Sequence, residues 1–358
     1  MTRLHRRAYN LTVEAINSGK PNKTELRREI RERVRSESEA SGILFVSTVC
    51  DEAVCCAFDT FYKLCKKWKK GEKASMQFRS RRDSRQGFVV QRCAEGGSIL
   101  PNTLGPVHIT EGTLDDVKGQ TVRVTWENGR WSVAFRKKLS LSDNQAGGRP
   151  AAIDPGVRTF ATVYGGDDVV KYGADFQDEL VQLHDRLDGL QSVQRKLLNV
   201  EGRHQWVADR MRNLRNRIWK TSNRVSDLVD DLHRRVAFDL VKKHDVILLP
   251  TFATSQMSAR KRRKIGRGTT RRMLTMSHFQ FALHLSWMCK KYGKELIRAN
   301  EAYTSKTDSR TGIIKHNLGG AKSINGFDRD TNGARGILLR ALSRVACTQN
   351  TSQSELSL

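Results

Sequence analysis

Three carboxylates stand where a fold could gather them: Asp154, Glu301 and Asp330. Asp154 ends the apolar run Ala151-Ala-Ile and precedes Pro155-Gly156, which places it at a strand-to-turn junction. Glu301 follows Glu295-Leu-Ile-Arg-Ala-Asn, which reads as a strand, and Asp330 lies in Asp328-Arg-Asp-Thr-Asn-Gly-Ala, just ahead of a helical segment. Taken singly, each has a plain structural use: a turn former for Asp154, a helix N-cap for Asp330. Taken together, three acids in one pocket repel one another unless a divalent cation neutralises them. Oxygen-only donors suit Mg²⁺ or Mn²⁺. Two such ions about 3.5–4 Å apart can activate a water and stabilise the leaving oxygen of a phosphodiester.

The charge balance agrees with that chemistry. Of 358 residues, 64 are Lys or Arg and 38 Asp or Glu, a formal net charge of +26. An excess of this size calls for an anionic partner, and each phosphate neutralised releases counterions that strengthen nucleic-acid binding. No stretch approaches the ~20 apolar residues of a spanning helix, so no membrane partner is expected, and Met1-Thr-Arg-Leu-His-Arg-Arg lacks the apolar core of a signal peptide. Charge alone would equally fit a ribosomal or chromatin protein. From residue 246 through 294 there is no Asp or Glu at all, which makes the acid at Glu301 conspicuous. Within that segment Arg260, Lys261, Arg262, Arg263, Lys264, Arg267, Arg271 and Arg272, spaced by Gly266 and Gly268, read as a flexible loop on backbone phosphates or, over 260–264, as a nuclear-localisation signal. Arg79, Arg81, Arg82 and Arg85 form a second basic cluster, and Lys306 is expected to hold a phosphate. Cys50, Cys55, Cys56, Cys65, Cys93, Cys289 and Cys347 include no Cys-x-x-Cys pair, and an odd count clustered in one helical stretch suits reduced thiols in an intracellular protein.

The elements that must position these residues follow from periodicity. Residues 1–75 read as helical, with Pro21-Asn22 as a break. Between residues 76 and 138 short β runs appear, and Glu127-Asn-Gly-Arg signals a hairpin. Trp126, Trp131 and Phe135 on these strands, and Trp206 and Trp219 on later helices, are expected in cores. A polar linker spans 140–150. Two β runs then flank Pro155-Gly156, Val169-Val-Lys-Tyr supplies a third, and a helical hairpin covers 176–243. Val246-Ile-Leu-Leu is a buried strand, 276–291 a helix, 295–299 a strand and 334–345 a final helix; the Ser- and Gln-rich tail 348–358 is expected to be disordered. His233 and His278 lie in partly apolar helical stretches and are expected to pack rather than shuttle protons.

Asp154-Pro-Gly-Val-Arg-Thr-Phe-Ala-Thr-Val-Tyr, Asn300-Glu-Ala-Tyr-Thr-Ser-Lys-Thr and Asp328-Arg-Asp-Thr-Asn-Gly-Ala-Arg resemble the three RuvC blocks of the TnpB/Fanzor family of transposon-encoded proteins. Arg7-Ala-Tyr-Asn, Phe78-Arg-Ser-Arg-Arg-Asp, Asp231-Leu-His233, Leu248-Leu-Pro-Thr-Phe and His278-Phe-Gln-Phe extend the resemblance along most of the chain. It implies an α/β RNase H-like (RuvC) nuclease domain preceded by a helical recognition region and a β-barrel-like wedge, an α+β whole. The implied divisions are 1–75 (recognition), 76–145 (wedge, its opening strand absent from this sequence) and 146–347 (nuclease, with the hairpin 176–243 and an insertion at 306–327). The implied activity is metal-dependent, RNA-guided DNA cleavage, with a guide RNA and target DNA as partners, inside the cell and in the nucleus if the host is eukaryotic. Asp154, Glu301 and Asp330 match the catalytic metal ligands. In many bacterial TnpB proteins the glutamate follows the strand matching residues 246–249; here Pro250 stands there, so Glu301 resembles the relocated Fanzor position.

One departure concerns zinc. The family's first Cys-x-x-Cys is replaced by Asp308-Ser-Arg-Thr311 and the second segment is shortened to Ser323-Ile-Asn-Gly-Phe, so no Cys₄ zinc site is expected and a metal-free loop must replace it. The alternatives are a nuclease-silent, RNA-dependent DNA-binding remnant and, more remotely, a structure-selective resolvase. Oligomeric state is not legible in the sequence.

Overall fold

The computed structural model describes the chain except residues 20–21, 92–98, 101–117, 139, 142–147, 203, 253, 260–264, 300–305, 316–320, 322 and 356–358, and describes 255 and 344–355 by backbone alone. Two compact units divide it, Met1–Lys138 and Leu139–Leu358.

In the first unit α1 (Thr2–Asn17), α2 (Lys23–Ala40) and α3 (Ser47–Trp68) precede an antiparallel sheet of β1 (Arg85–Val90), β2 (Val122–Glu127) and β3 (Arg130–Ala134) in the order β1-β2-β3. Asn22 caps α2, its side chain accepting from the Thr24 and Glu25 amides. Asn128-Gly129 closes the β2–β3 hairpin, as the sequence indicates. A three-stranded sheet is too small to bury a core alone. Phe88, Val90, Val122 and Val124 therefore join the α1–α3 core of Leu11, Val13, Ile30, Val54 and Phe58, and the helical and β-rich regions separated at residue 75 by sequence share one interior. Trp131 is 57% exposed, against the expectation of burial, because β3 is an edge strand with an open face.

The second unit is built on a mixed sheet in the order β6-β5-β4-β7-β8. Its strands are β4 (Pro150–Pro155), β5 (Ala161–Tyr164), β6 (Val169–Tyr172), β7 (Val246–Pro250) and β8 (Glu295–Ala299). β4, β5 and β6 form an antiparallel meander, whereas β7 and β8 run parallel to β4. Between β6 and β7 lie α4 (Phe176–Leu198) and α5 (Gln205–Lys243), the expected hairpin; Trp206, in the first turn of α5, is 54% exposed rather than packed. Between β7 and β8 come α6 (Thr254–Ser258), α7 (Arg267–Thr275) and α8 (His278–Lys291). After β8 a two-stranded hairpin of β9 (Ser323–Ile324) and β10 (Phe327–Asp328) leads into α9 (Arg329–Glu355). No Gly or Pro interrupts the chain after Gly336, and α9 runs to Glu355 through most of the tail expected to be disordered.

Strand alternation divides the core. Ala151, Ile153, Ile247 and Leu249 face α4, α5 and α8, while Ala152 and Leu248 meet Ile337 and Leu338 of α9 on the other face. The starts of the three parallel strands are tied at one point. Asp245, 6% exposed, receives Lys294 Nζ at 2.5 Å, Arg149 Nε at 3.2 Å and the Arg149 amide at 3.4 Å. Arg149 precedes β4, Asp245 precedes β7 and Lys294 precedes β8, so one carboxylate sets the mutual register of all three. The Lys294 hydrogen bond above all holds the Asp245 carboxyl down at about 2. A lowered folded value means that this stabilisation is complete above the unfolded range near 3.9 and disappears as pH falls towards about 2. Urea denaturation of Asp245→Asn should show a loss of about 1–3 kcal/mol at neutral pH, shrinking as the wild type is acidified. A constant difference between the two proteins across pH would contradict this.

Candidate functional site

Asp154 lies opposite Thr162 of β5, near the end of β4. It shares strand parity with Ala152, so its side chain projects to the α9 face. The chain beyond it is anchored by Phe160, whose carbonyl accepts the Gly156 amide at 3.1 Å. Phe160 is fully buried between two imidazoles: His233 stacks on it at 5.2 Å and His278 at 5.1 Å, with Phe281 edge-on at 5.0 Å. His233 Nε2 pairs with the Met276 carbonyl at 2.9 Å, which requires that nitrogen to carry the proton. Burial lowers the pKa of His233, and burial followed by the nearby His233 brings His278 to about 4. Both rings are neutral at physiological pH and pack as the sequence indicates.

Asp330 sits in the first turn of α9, which starts at Arg329 rather than at residue 334. The early start has a cause: Asp328 Oδ1 accepts the Thr331 amide and the Thr331 hydroxyl, both at 2.9 Å. Asp328, not Asp330, is thus the N-cap, and its other oxygen binds Lys171 of β6 at 2.9 Å. With the cap supplied elsewhere, the half-buried Asp330 carboxylate makes no hydrogen bond or ion pair among the described residues. One turn further on, Gly333 presses against Asp154; a Cβ there would collide with Oδ2 and lie 3.1 Å from Cγ. Residues three apart on a helix lie about 5–6 Å apart on one face, so Asp330 and Asp154 border the same space. Glu301 lies outside the described residues. β8 ends at Ala299, in register with Pro250, and Ala299 packs on the α9 side together with Ala152. The chain therefore leaves the sheet two residues before Glu301 at the edge that carries Asp154.

Both converging groups are hard oxygen donors, a set that fits a divalent cation of the Mg²⁺ class. Among the described residues no three His, Cys, Asp or Glu side chains cluster. The basic residues are more scattered than the sequence suggests. Arg260 to Lys264 lie outside the described residues, while Arg267, Arg271 and Arg272 belong to α7 and not to a loop. Arg271 is engaged with Asp188 of α4 at 2.6 Å, so it is not free for a phosphate. Lys306 is exposed in a turn. In the first unit Arg81, Arg82 and Arg85 are exposed and Arg79 is half-buried.

Residues 278–337, from α8 into α9, match the family model of the Cas12f1-like TNB domain. A "putative transposase" of Paramecium bursaria Chlorella virus 1 is 32% identical over 201 residues, covering 54% of this chain and 44% of that protein. A TnpB-like protein of Acanthamoeba polyphaga mimivirus is 28% identical over 197 residues, 52% of this chain and 36% of its own. The chain is thus similar to TnpB-like and transposase proteins over about half its length. It spans less than half the length of these two relatives. A solved structure of Cas12f1 in complex with sgRNA and target DNA superposes with a TM-score of 0.51 at 12% identity over 94% of this chain and 80% of that one, a likeness of α+β fold.

The two segments standing where zinc-binding cysteines are expected from the resemblance are joined by a carboxylate. Asp308 is fully enclosed and accepts the Arg310 amide at 3.0 Å, Arg310 Nε at 3.4 Å and Asn325 Nδ2 at 2.7 Å. Asn325 occupies the turn between β9 and β10, and Arg310 also donates to its carbonyl at 3.1 Å. Asn332 of α9, equally enclosed, accepts the Ser309 amide at 2.8 Å and donates to the Thr307 carbonyl at 2.7 Å. The loop after Glu301 is in this way fastened to the helix that bears Asp330. Sequence reasoning missed Asp308, Asn325 and Asn332; the one available signal was that Asp308 and Asn325 fall where cysteines are absent. The backbone amide of Arg310 leads the groups that hold the Asp308 carboxyl at about 2.

Two outcomes follow. With Mg²⁺ kept in excess, a zinc-selective chelator should leave the thermal unfolding of the wild type unchanged, while Asp308→Ala lowers its midpoint; a chelator effect as large as that substitution would contradict the clamp. Gly333→Ala should cost about 1–3 kcal/mol through overpacking against Asp154, read by chemical denaturation.

Proposed function

We propose that this chain is a TnpB-family, RNA-guided DNA endonuclease of a transposable element, cutting phosphodiesters with divalent ions held by Asp154, Glu301 and Asp330. One observation carries the reading. A half-buried Asp330 carboxylate, without a counter-charge among the described residues, lies one turn before Gly333, which packs against Asp154, in a chain with 64 basic residues. Where so many cations are available, an acid left without one at a strand end is placed for a ligand that is itself cationic. The strand arrangement supports the reading too: a three-stranded antiparallel meander extended by two parallel strands is the order of an RNase H-like sheet, with Asp154 near the end of β4, Asp330 in the first turn of the covering helix, and Glu301 following β8 by two residues in the sequence.

Mg²⁺ or Mn²⁺ bound there would supply an activated water and charge stabilisation at the leaving oxygen. The chain's own residues do the rest. Asp154 and Asp330 hold the cation, Gly333 lets α9 approach closely enough for both to reach it, and the Phe160 sandwich keeps the Asp154 turn from shifting. Lys306, exposed beside the Asp308 clamp, is suited to hold a backbone phosphate. Since pairing to a guide supplies sequence specificity, the protein's contacts need only recognise backbone. One support for the alternative, a nuclease-silent, RNA-dependent DNA-binding remnant, is the missing zinc cysteines, and the Asp308 network offers a metal-free way to fasten that loop.

The test is cleavage of guide-complementary DNA by the purified protein–RNA complex with Mg²⁺. Asp154→Ala and Asp330→Asn should each reduce cutting by about 10³-fold or more, as loss of several kcal/mol of metal-assisted stabilisation implies, while binding of the same DNA persists. Undiminished cutting by Asp154→Ala would refute the assignment.

A further inference from the structure

Two motifs of the first unit, Arg6-Arg-Ala-Tyr-Asn10 and Phe78-Arg-Ser80, have no part in the carboxylate site. The structure shows them gripping each other. Asn10 Oδ1 accepts the Arg79 amide at 2.8 Å and its Nδ2 donates to the Arg79 carbonyl at 2.9 Å. The Arg79 guanidinium lies 3.8 Å over the Tyr9 ring and its Nη1 is 3.0 Å from His5 Nδ1. Arginine only donates, so Nδ1 accepts and the His5 proton sits on Nε2. Burial, then the neighbouring Arg79 and Arg123, push the His5 pKa down to about 3, which keeps the ring neutral and available as an acceptor.

Beside this grip is a cavity of about 250 Å³ walled by Arg6, Arg79, Arg85 and Arg123, with Asp83 and Thr125 also lining it. Arg6 is half-buried and oriented by Gln86 Oε1 at 2.8 Å. Burial and the nearby Arg81 and Arg3 lower its pKa, a sign of like charges crowded together. Arg85 and Arg123 point to the same sheet face, because Gly87 and Thr125 between them are paired across β1 and β2. Gly87 has no room for a side chain: a Cβ would come within 2.7 Å of the Val124 carbonyl, and the bare backbone leaves the space between the arginines open. Arg123 is exposed and makes no hydrogen bond or ion pair among the described residues. Arg85 pairs with Glu127, outside the lining, at 3.6 Å, and Asp83, the one acid among the lining residues, has one oxygen committed to the Ser80 amide at 2.8 Å.

We propose that this cavity is a ribose–phosphate pocket for single-stranded RNA. Arg6, Arg85 and Arg123 receive one backbone phosphate, and the adjoining ribose 2′-hydroxyl meets the second oxygen of Asp83 or the Thr125 hydroxyl. An anion relieves the repulsion among the guanidiniums. The carboxylate in the wall disfavours a second phosphate but accepts a hydroxyl proton, and the 2′-hydroxyl is the group that distinguishes RNA from DNA. The volume admits one backbone unit rather than a duplex groove. This pocket shares with the proposed function only the premise that RNA is a partner, and it does not require the second unit to cut.

Its test is binding by the full chain, freed of co-purifying nucleic acid, to a short single-stranded RNA and to DNA of the same sequence across a range of salt. Arg123→Gln should weaken RNA binding several-fold and lower the salt slope by about 1, whereas Arg136→Gln, an exposed arginine of the same unit outside the cavity, should do neither. Thr125→Val should narrow the wild type's preference for RNA over DNA. Equal losses in the two arginine variants would reduce the effect to net charge and overturn the pocket, and equal wild-type affinity for RNA and DNA would overturn its ribose half. Unchanged thermal midpoints verify folding of the variants. Absence of guided cleavage alongside an Arg123-specific RNA effect would count against the nuclease reading and leave the pocket standing.

Discussion

The parallel register of β4, β7 and β8 is the constraint on which the second unit depends. Asp245 binds the residues just ahead of β4 and β8 at the same time, and the ladder then carries that alignment to the opposite edge, where Asp154 ends one strand and the segment to Glu301 leaves another. A slip of one residue in the β4–β7 pairing would turn Asp154 from the α9 face to the face of α4, α5 and α8. A surface-remote ion pair and the candidate site are coupled in this way through backbone geometry, without a shared side chain.

At the other end of the same strands the problem is electrostatic. Several carboxylates stand near the start of α9, and each has a distinct assignment set by its neighbours. Asp328 is held by Thr331 and Lys171, Asp308 by Arg310 and Asn325, and Asp330 by neither a cap nor a cation among the described residues. Helix N-termini favour negative charge, which eases the gathering of these acids at one place. The division of labour leaves one carboxylate beside Asp154 available for a ligand.

The Asp308 network and the Arg79 grip illustrate the same physical device. In both, a group that could be charged or mobile is enclosed and satisfied by several hydrogen bonds from sequence-distant segments, so that it fixes geometry without a metal. Buried polar groups that are fully satisfied specify one arrangement, while a partial set would be costly. In the second unit this fastens residues 307–309 to α9. In the first unit it presents arginines on a rigid wall.

Sequence alone determined the main elements. Apolar spacing gave the helical hairpin and the strands 246–250 and 295–299, and Asn128-Gly129 gave the β2–β3 turn, because periodicity and turn chemistry are local properties; net charge and three acids motivate the proposed reaction. Tertiary structure alone decided which acid caps α9, that α9 begins at Arg329, that Arg271 is spent on Asp188, that Trp131 and Trp206 are exposed, and that Asp308 joins Arg310 to the β9–β10 turn. Each of those depends on a partner many residues away, and no local pattern records which distant side chain the fold will bring within hydrogen-bonding reach.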